Sequence, residues 1–202
     1  RIFRGKSLTE LANESGISKQ LISQYENGDS RPSHERLFNI SEILHFPYDF
    51  FMQSDLYSAH TEATYFRSLM SAKRMERAAQ SYRLEIAVEI YKALQDEYID
   101  FEPLRIPKIE FSGVDSETDE AAMANAADEI EQIANTLREY WKLGDGPIEN
   151  LQFVLESNGI IVTGFPTAAD GIDAFSQRTY VSDRDVYAIA VDQGDKPEGR
   201  IR

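Results

Sequence analysis

The chain has 202 residues, which is room for one to three domains, and its 42% hydrophobic and 28% charged residues are typical of a globular protein. Its apolar runs are far shorter than the roughly 18 residues that a membrane-spanning helix needs. The absence of cysteine excludes a disulfide scaffold and any cysteine-ligated zinc or iron–sulfur site. We therefore expect a cytoplasmic protein with no membrane partner.

The net charge of −14 is unevenly distributed along the chain. Residues 1–54 carry 6 basic and 7 acidic side chains (net −1), residues 55–108 carry 8 and 9 (net −1), and residues 109–202 carry 7 and 19 (net −12). A strongly acidic chain argues against nucleic-acid binding. The first two regions are nearly neutral, however, so a local DNA-binding face stays open.

The pattern of turns and apolar residues predicts three regions. Residues 1–54 show short helical patterns, residues 55–119 a helical connector and an acidic linker, and residues 120–202 helices followed by a small sheet. We expect a mainly α fold with a small α+β part at the C-terminal end.

Serine and proline punctuate the first region. Ser7 is placed to cap a helix, and Glu10, three residues later, completes a capping box. Ser18 is placed to cap the next helix, Pro32 opens another, and Pro47 starts a short last element. With the helix-like stretch at the start of the chain, this predicts five helices.

The second region contains one long helical pattern. Apolar residues recur at helical spacing from Met75 to Leu94, and no glycine or proline occurs from Ala72 to Phe101. This stripe of apolar residues fits either an intramolecular core or a dimer coil. Residues 112–119 form the acidic linker.

The third region predicts two helices and three strands. The first helix runs through Ile130 to Trp141, and the second opens at Pro147. Three short apolar segments then indicate strands: Ile160–Val162, Asp173–Gln177 and Val186–Val191.

Two short helices joined by a turn with a glycine are the helix-turn-helix pattern. The segment Leu8–Gly28 fits it throughout, and Tyr25–Ser33 (YENGDSRPS) continues it. This sequence resembles the XRE family of phage-repressor-like regulators, over Arg1–Met52. The resemblance implies a five-helix DNA-binding domain.

In such proteins the N-terminal turn of the second helix enters the major groove. Five polar residues occupy the non-core side of this helix: Ser18, Lys19, Gln20, Ser23 and Gln24. Glutamine can bond adenine bidentately, and lysine can bond guanine. These five are therefore candidate base-reading residues, and the alternative is a solvated polar helix face.

Other residues are candidates for backbone contacts or for a structural role. Ser7, Asn27 and Arg31 are candidate DNA phosphate contacts at helix ends, although Arg31 fits a plain surface charge as well. The family resemblance implies a structural ion pair between Arg1 and Glu26.

A second resemblance covers the third region. The segments that carry it are Leu137–Pro166, Asp173–Ser176 and Tyr187–Asp192, preceded by a connector-like stretch at Thr64–Ala72. They resemble the ImmA/IrrE-type metallopeptidase-like domain.

Members of that family continue into a helix bearing His-Glu-x-x-His, whose histidines bind zinc and whose glutamate acts as general base. The sequence stops at Arg200–Arg202, where that helix would begin. The three histidines, His34, His45 and His60, all lie upstream. We expect an incomplete zincin-like domain with no catalytic residue and no metal ligand. A zinc cofactor would require a longer parent chain.

These observations predict a sequence-specific transcriptional regulator, a repressor that binds a double-stranded operator as a homodimer. The C-terminal region would sense a regulatory protein or a small-molecule ligand. One alternative is a zinc-dependent peptidase targeted by its DNA-binding module, active only if the parent chain continues past Arg202. Another is an interaction protein, such as an antitoxin that binds both DNA and a toxin.

Overall fold

The computed structural model describes residues 1–54, 57, 59–66, 73–109, 120–165 and 172–193, without the side chains of residues 120–125. The acidic linker at residues 112–119 and the terminal Arg200–Arg202 lie outside these ranges. The chain divides into two units, one of residues 1–100 and 161–202 and one of residues 101–160. None of the described helices combines the length and the apolar character that crossing a bilayer requires.

The first unit begins with three α-helices between two short 3-10 helices. The α-helices are α1 (Leu8–Ser15), α2 (Lys19–Glu26) and α3 (His34–Leu44), and the 3-10 helices are Ile2–Arg4 and Tyr48–Met52. The sequence predicted five helices here, and the first and the last of these are short 3-10 helices in the structure. Gly5 stops the first of them because it adopts a left-handed conformation, with φ of 67°.

Serine caps and an apolar core explain why these helices form. Ser7, Ser18 and Ser33 each accept a hydrogen bond from the backbone amide three residues later, at 3.2, 3.3 and 3.4 Å. The apolar faces meet in one core cluster, whose most buried members are Leu11, Ile22 and Leu44, each 2% exposed. The predicted caps at Ser7 and Ser18 are confirmed.

The rest of the first unit is one long helix packed on a four-stranded sheet. Its elements are β1 (His60–Phe66), α4 (Arg74–Glu97), β2 (Ile161–Phe165), β3 (Ala174–Val181) and β4 (Arg184–Asp192). The strand order is β1-β3-β4-β2, with β3 antiparallel to both β1 and β4 and with β2 parallel to β4. The predicted long helix is α4, and the three predicted strands are β2, β3 and β4.

Strand β1 corrects the prediction of a helical connector over residues 55–119, because residues 60–66 of that region form a strand. It pairs with β3 from His60 to Phe66, with a bulge between Thr61 and Ala63. A signal was present: β-branched and aromatic residues occur at Thr61, Thr64 and Tyr65, as strands favour.

Helix α4 buries one face on the sheet. Leu84 and Val88 are 0% exposed and pack with Phe175, Val181 and Ala188. Beside this apolar cluster lies a polar contact in which the amide of buried Gln177 donates to the Thr61 hydroxyl at 2.9 Å. The core face of α4 thus runs through Leu84 and Val88, whereas three residues of the predicted apolar stripe are exposed: Tyr82, Ile90 and Leu94. A dimer coil along that stripe stays a prediction.

The second unit contains α5 (Glu120–Tyr140) and α6 (Leu151–Ser157). Helix α6 begins at Leu151 instead of the predicted Pro147 because the Asn150 side chain caps it, accepting from the Phe153 amide at 2.9 Å. Two hydrogen bonds hold the segment at residues 101–109, which has no regular secondary structure. The Arg105 amide donates to the Asn158 oxygen at 2.9 Å, and Trp141 Nε1 donates to the Arg105 oxygen at 2.7 Å.

Candidate nucleic-acid interface

Helix α2 has one buried side and one polar side. Ile22 is 2% exposed in the core, and Leu21 and Tyr25 pack against the same cluster. On the other side Lys19 and Gln20 are exposed, and Ser23 and Gln24 are half-buried. The helix therefore presents a polar face that the core does not use.

Most of these polar side chains have no hydrogen-bond partner in the part of the chain that the structure describes. The side chains of Lys19, Gln20 and Gln24 make no hydrogen bond to any other residue within the described ranges. Ser18 is exposed, and its hydroxyl accepts from the Leu21 amide at 3.3 Å. The first turn of α2 is thus held in shape by Ser18, while the side chains that follow it are free to bind something else.

The three candidate phosphate contacts differ in exposure and in the hydrogen bonds that they already make. Asn27 and Arg31 are exposed, and Asn27 ends α2 by donating its backbone amide to the Ser23 oxygen at 3.0 Å. Ser7 is half-buried, and its amide already donates to Glu10 Oε2 at 2.7 Å. These hydrogen bonds to Ser7 lower the pKa of Glu10, so a carboxylate stays charged beside Ser7 at neutral pH. Ser7 is therefore the least available of the three.

Arg1 and Glu26, the pair implied by resemblance, are joined by two hydrogen bonds. Arg1 Nε lies 2.7 Å from Glu26 Oε1, and the second guanidinium nitrogen Nη2 lies 2.9 Å from Oε2. The third nitrogen, Nη1, donates to the Lys6 backbone oxygen at 2.8 Å. The bond to Glu26 raises the pKa of Arg1. This bidentate contact fixes the end of α2 to the start of the chain.

A cavity of about 700 Å³ lies on the core side of the same helices. Its lining is mainly apolar and includes Leu11, Ile22 and Leu44. Neither Gln20 nor Gln24 lines it, so the cavity is separate from the polar face of α2.

The residues described do not fit a zinc centre. His34 Nδ1 hydrogen-bonds the Tyr48 hydroxyl, His45 is the left-handed residue that ends α3, and His60 begins β1. Across the described ranges, no three histidine, aspartate or glutamate side chains come together to hold a metal ion.

Comparison with known proteins matches the part of the chain that holds α2. The Helix-turn-helix family model matches residues 2–51, which hold α1, α2 and α3. Residues 2–51 form a helix-turn-helix domain. The second helix of its motif is α2, the helix with the free polar face.

The helix-turn-helix domain also resembles parts of two curated proteins. One is an uncharacterized HTH-type transcriptional regulator of Sinorhizobium medicae (strain WSM419), and the other is an uncharacterized HTH-type transcriptional regulator of Rhizobium meliloti (strain 1021). Each is 42% identical over 53 residues, 26% of this chain. The chain spans 38% of the length of these relatives. No solved structure matches the chain at a significant level.

These matches concern the helix-turn-helix domain alone. The likeness of the third region to the ImmA/IrrE-type domain is not part of them and stays a prediction. One further cation of the domain, Arg36, is exposed on α3 and belongs to none of the sequence motifs.

Proposed function

We propose that this protein is a DNA-binding transcriptional regulator that reads its operator through α2. The observation that carries this proposal is the polar face of α2, where Lys19, Gln20 and Gln24 are free of partners within the described residues, in a domain that matches the helix-turn-helix family. The two relatives named as transcriptional regulators support it.

The chemistry of the face suits base reading in the major groove. The Gln20 amide matches the adenine N6–N7 edge, and the Lys19 ammonium matches guanine O6 and N7. Gln20 and Gln24 are one turn apart, about 6 Å along the helix axis. Because base pairs stack every ~3.4 Å, the two amides are spaced to address different base pairs. Each matched contact contributes about 1–3 kcal/mol of discrimination.

The finer proposal is a repressor that acts as a homodimer. One α2 reaches only a few base pairs, so a long operator needs a second copy related by two-fold symmetry. Two half-sites would then lie about 10 base pairs apart, or a multiple of that. A protein seated on such an operator blocks access to it.

The first experiment tests sequence-specific binding. Duplexes are selected from a random library with the purified protein, and affinity is then compared between a selected 30-base-pair duplex and a mixed-sequence one. We expect the double variant Lys19→Ala/Gln20→Ala to lose the preference for the selected duplex, with unchanged circular dichroism.

A matched control carries the same two changes outside the helix-turn-helix domain. Lys108→Ala/Gln132→Ala removes an exposed lysine and an exposed glutamine from the second unit, and we expect it to bind as the unmodified protein does. Retention of the full preference by Lys19→Ala/Gln20→Ala would contradict base reading by α2.

The second experiment tests the dimer. Sedimentation of the complex should give two protein chains per selected duplex, and a footprint should cover two half-sites. A single chain per duplex at saturation contradicts the dimer and leaves base reading by α2 intact.

A further inference from the structure

The six cations of residues 1–54 fall into two groups. Three are committed to structural contacts: Arg1 to Glu26, Lys6 to Glu14 at 2.6 Å, and Arg4 to the backbone oxygens of Leu44 and His45 at 2.7 Å each. The other three make no ion pair within the described residues: Lys19, Arg31 and Arg36. The sequence predicts Lys19 as a base-reading residue and Arg31 as a phosphate contact, and it predicts no role for Arg36.

Arg36 is exposed, yet it is held in place. It lies in the first turn of α3, and its Nη1 donates to the Tyr25 hydroxyl at 3.1 Å. Tyr25 belongs to α2, and its ring packs against the core cluster of the domain. The tyrosine is therefore a fixed support that holds the guanidinium against the base-reading helix.

The bond to Tyr25 leaves the binding capacity of Arg36 almost intact. A guanidinium has five N–H donors in a rigid fork, and this contact uses one. The partner is a neutral hydroxyl, so the positive charge is not cancelled. A planar fork with free donors matches two oxygens of a phosphate. The adjacent carboxylate, Glu35, lies about 100° away around the helix.

We propose that Arg36 is a DNA phosphate contact and that Tyr25 is its positioning residue. The contact joins α3 to the DNA backbone and, through Tyr25, sets how α2 lies along the groove. This inference rests on the proposed function, because it needs the helix-turn-helix domain to bind DNA.

The salt dependence of binding separates a phosphate contact from a base contact. Affinity for the selected and the mixed-sequence 30-base-pair duplexes is measured between about 50 and 300 mM salt. Counterion release makes log affinity fall linearly with log salt concentration. We expect Arg36→Ala and Arg36→Gln to lower the affinity for both duplexes alike, by about tenfold. The slope of log affinity against log salt concentration should fall in magnitude by about one.

Tyr25→Phe tests the positioning role. It keeps the core ring and the charge of Arg36 but removes the hydroxyl. We expect a smaller loss of affinity, about two- to fivefold, with the salt slope unchanged, because the phosphate contact still forms from a less ordered side chain. Arg74→Ala, which removes an exposed cation from the first residue of α4, is the matched control and should change neither quantity.

Two results would overturn the inference while leaving the proposed function standing. One is an unchanged salt slope in both Arg36→Ala and Arg36→Gln. The other is a loss confined to the selected duplex, which would make Arg36 a base-reading residue. If the unmodified protein binds neither duplex at any salt concentration, the proposed function itself fails. Melting followed by circular dichroism shows which variants keep the fold.

Discussion

Arg83 donates its Nε hydrogen to the backbone oxygen of Phe3 at 3.1 Å, and its guanidinium carbon lies 5.3 Å from the centroid of the Phe3 ring. The guanidinium of Arg4 lies at the same distance from that ring. Burial, together with the charge of Arg4, lowers the pKa of Arg83. The bond spans 80 positions in the sequence and ties the first turn of the helix-turn-helix domain to α4.

Removal of this tie should destabilise the first unit. We expect Arg83→Ala to lower the free energy of unfolding by about 1–2 kcal/mol, since a hydrogen bond and a cation–π contact are lost together. Arg83→Lys should recover only part of the loss, because lysine lacks the planar guanidinium. Urea unfolding followed by circular dichroism measures both. Equal stability of Arg83→Ala and the unmodified protein would contradict this view of the junction.

The two sides of α4 should respond very differently to truncation. Leu84 is fully buried against the sheet, whereas Ile90 is 57% exposed. We expect Leu84→Ala to cost about 2–5 kcal/mol through lost burial and a residual cavity, and Ile90→Ala to cost under about 0.5 kcal/mol. The two substitutions remove side chains of similar size from different faces of α4. Similar urea midpoints for the two variants would therefore contradict the placement of α4 on the sheet.

The sequence was informative where structure depends on neighbouring residues. Ser7 and Ser18 cap helices as predicted, and the helical period of α4 was evident from Met75 to Leu94. The sheet was less predictable. Strand β1 pairs with β3, which lies more than a hundred residues later, and no local pattern encodes such a partner.

The residues of the candidate site were likewise predictable only in part. Lys19, Gln20 and Gln24 follow from the helix-turn-helix pattern, because their position on α2 fixes which side they occupy. Arg36 does not, since its contact with Tyr25 depends on how α3 packs across α2. The sequence also does not reveal which cations of the domain make ion pairs, because the partners of Arg1 and Lys6 lie on other elements of the fold.

The capping box of α1 predicts a pH dependence of stability. Hydrogen bonds with Ser7 hold the pKa of Glu10 below its ordinary value. A lowered pKa in the folded state means that this stabilisation is complete above the unfolded pKa, ~4.3 for glutamate, and is lost as the pH falls through the lower folded value.

We therefore expect Glu10→Gln to be less stable than the unmodified protein at pH 7, with a difference that shrinks as the pH falls below about 4. Thermal unfolding from pH 7 to pH 3 measures it. Glu42→Gln, at an exposed glutamate on α3, serves as the control and should show no such trend. A difference that stays constant with pH would contradict the role of the carboxylate.

A glycine in the second unit is predicted to be irreplaceable. Gly159 has φ of +79°, and a Cβ atom there would lie 2.6 Å from backbone atoms of Pro103 and Leu104. We expect Gly159→Ala to destabilise this unit by about 1–3 kcal/mol through backbone strain and displacement of residues 103–104.

Hydrogen exchange gives a local measure of that effect. The Arg105 amide, which donates to Asn158, should exchange faster in Gly159→Ala. Gly146→Ala should leave it unchanged, because nothing lies within 4 Å of a Cβ added there. Unchanged protection of Arg105 in Gly159→Ala would contradict the close approach.

The order of strands along the chain has a consequence for synthesis. The hydrogen bond between Thr64 of β1 and Gln177 of β3 spans 113 positions. At translation rates of about 5–20 residues per second, β3 emerges roughly 6–23 seconds after β1. The core contacts of the helix-turn-helix domain lie within residues 8–51, and contacts between residues closer in sequence form faster. The domain proposed to bind DNA should therefore fold on the ribosome well before the sheet beneath α4 can close.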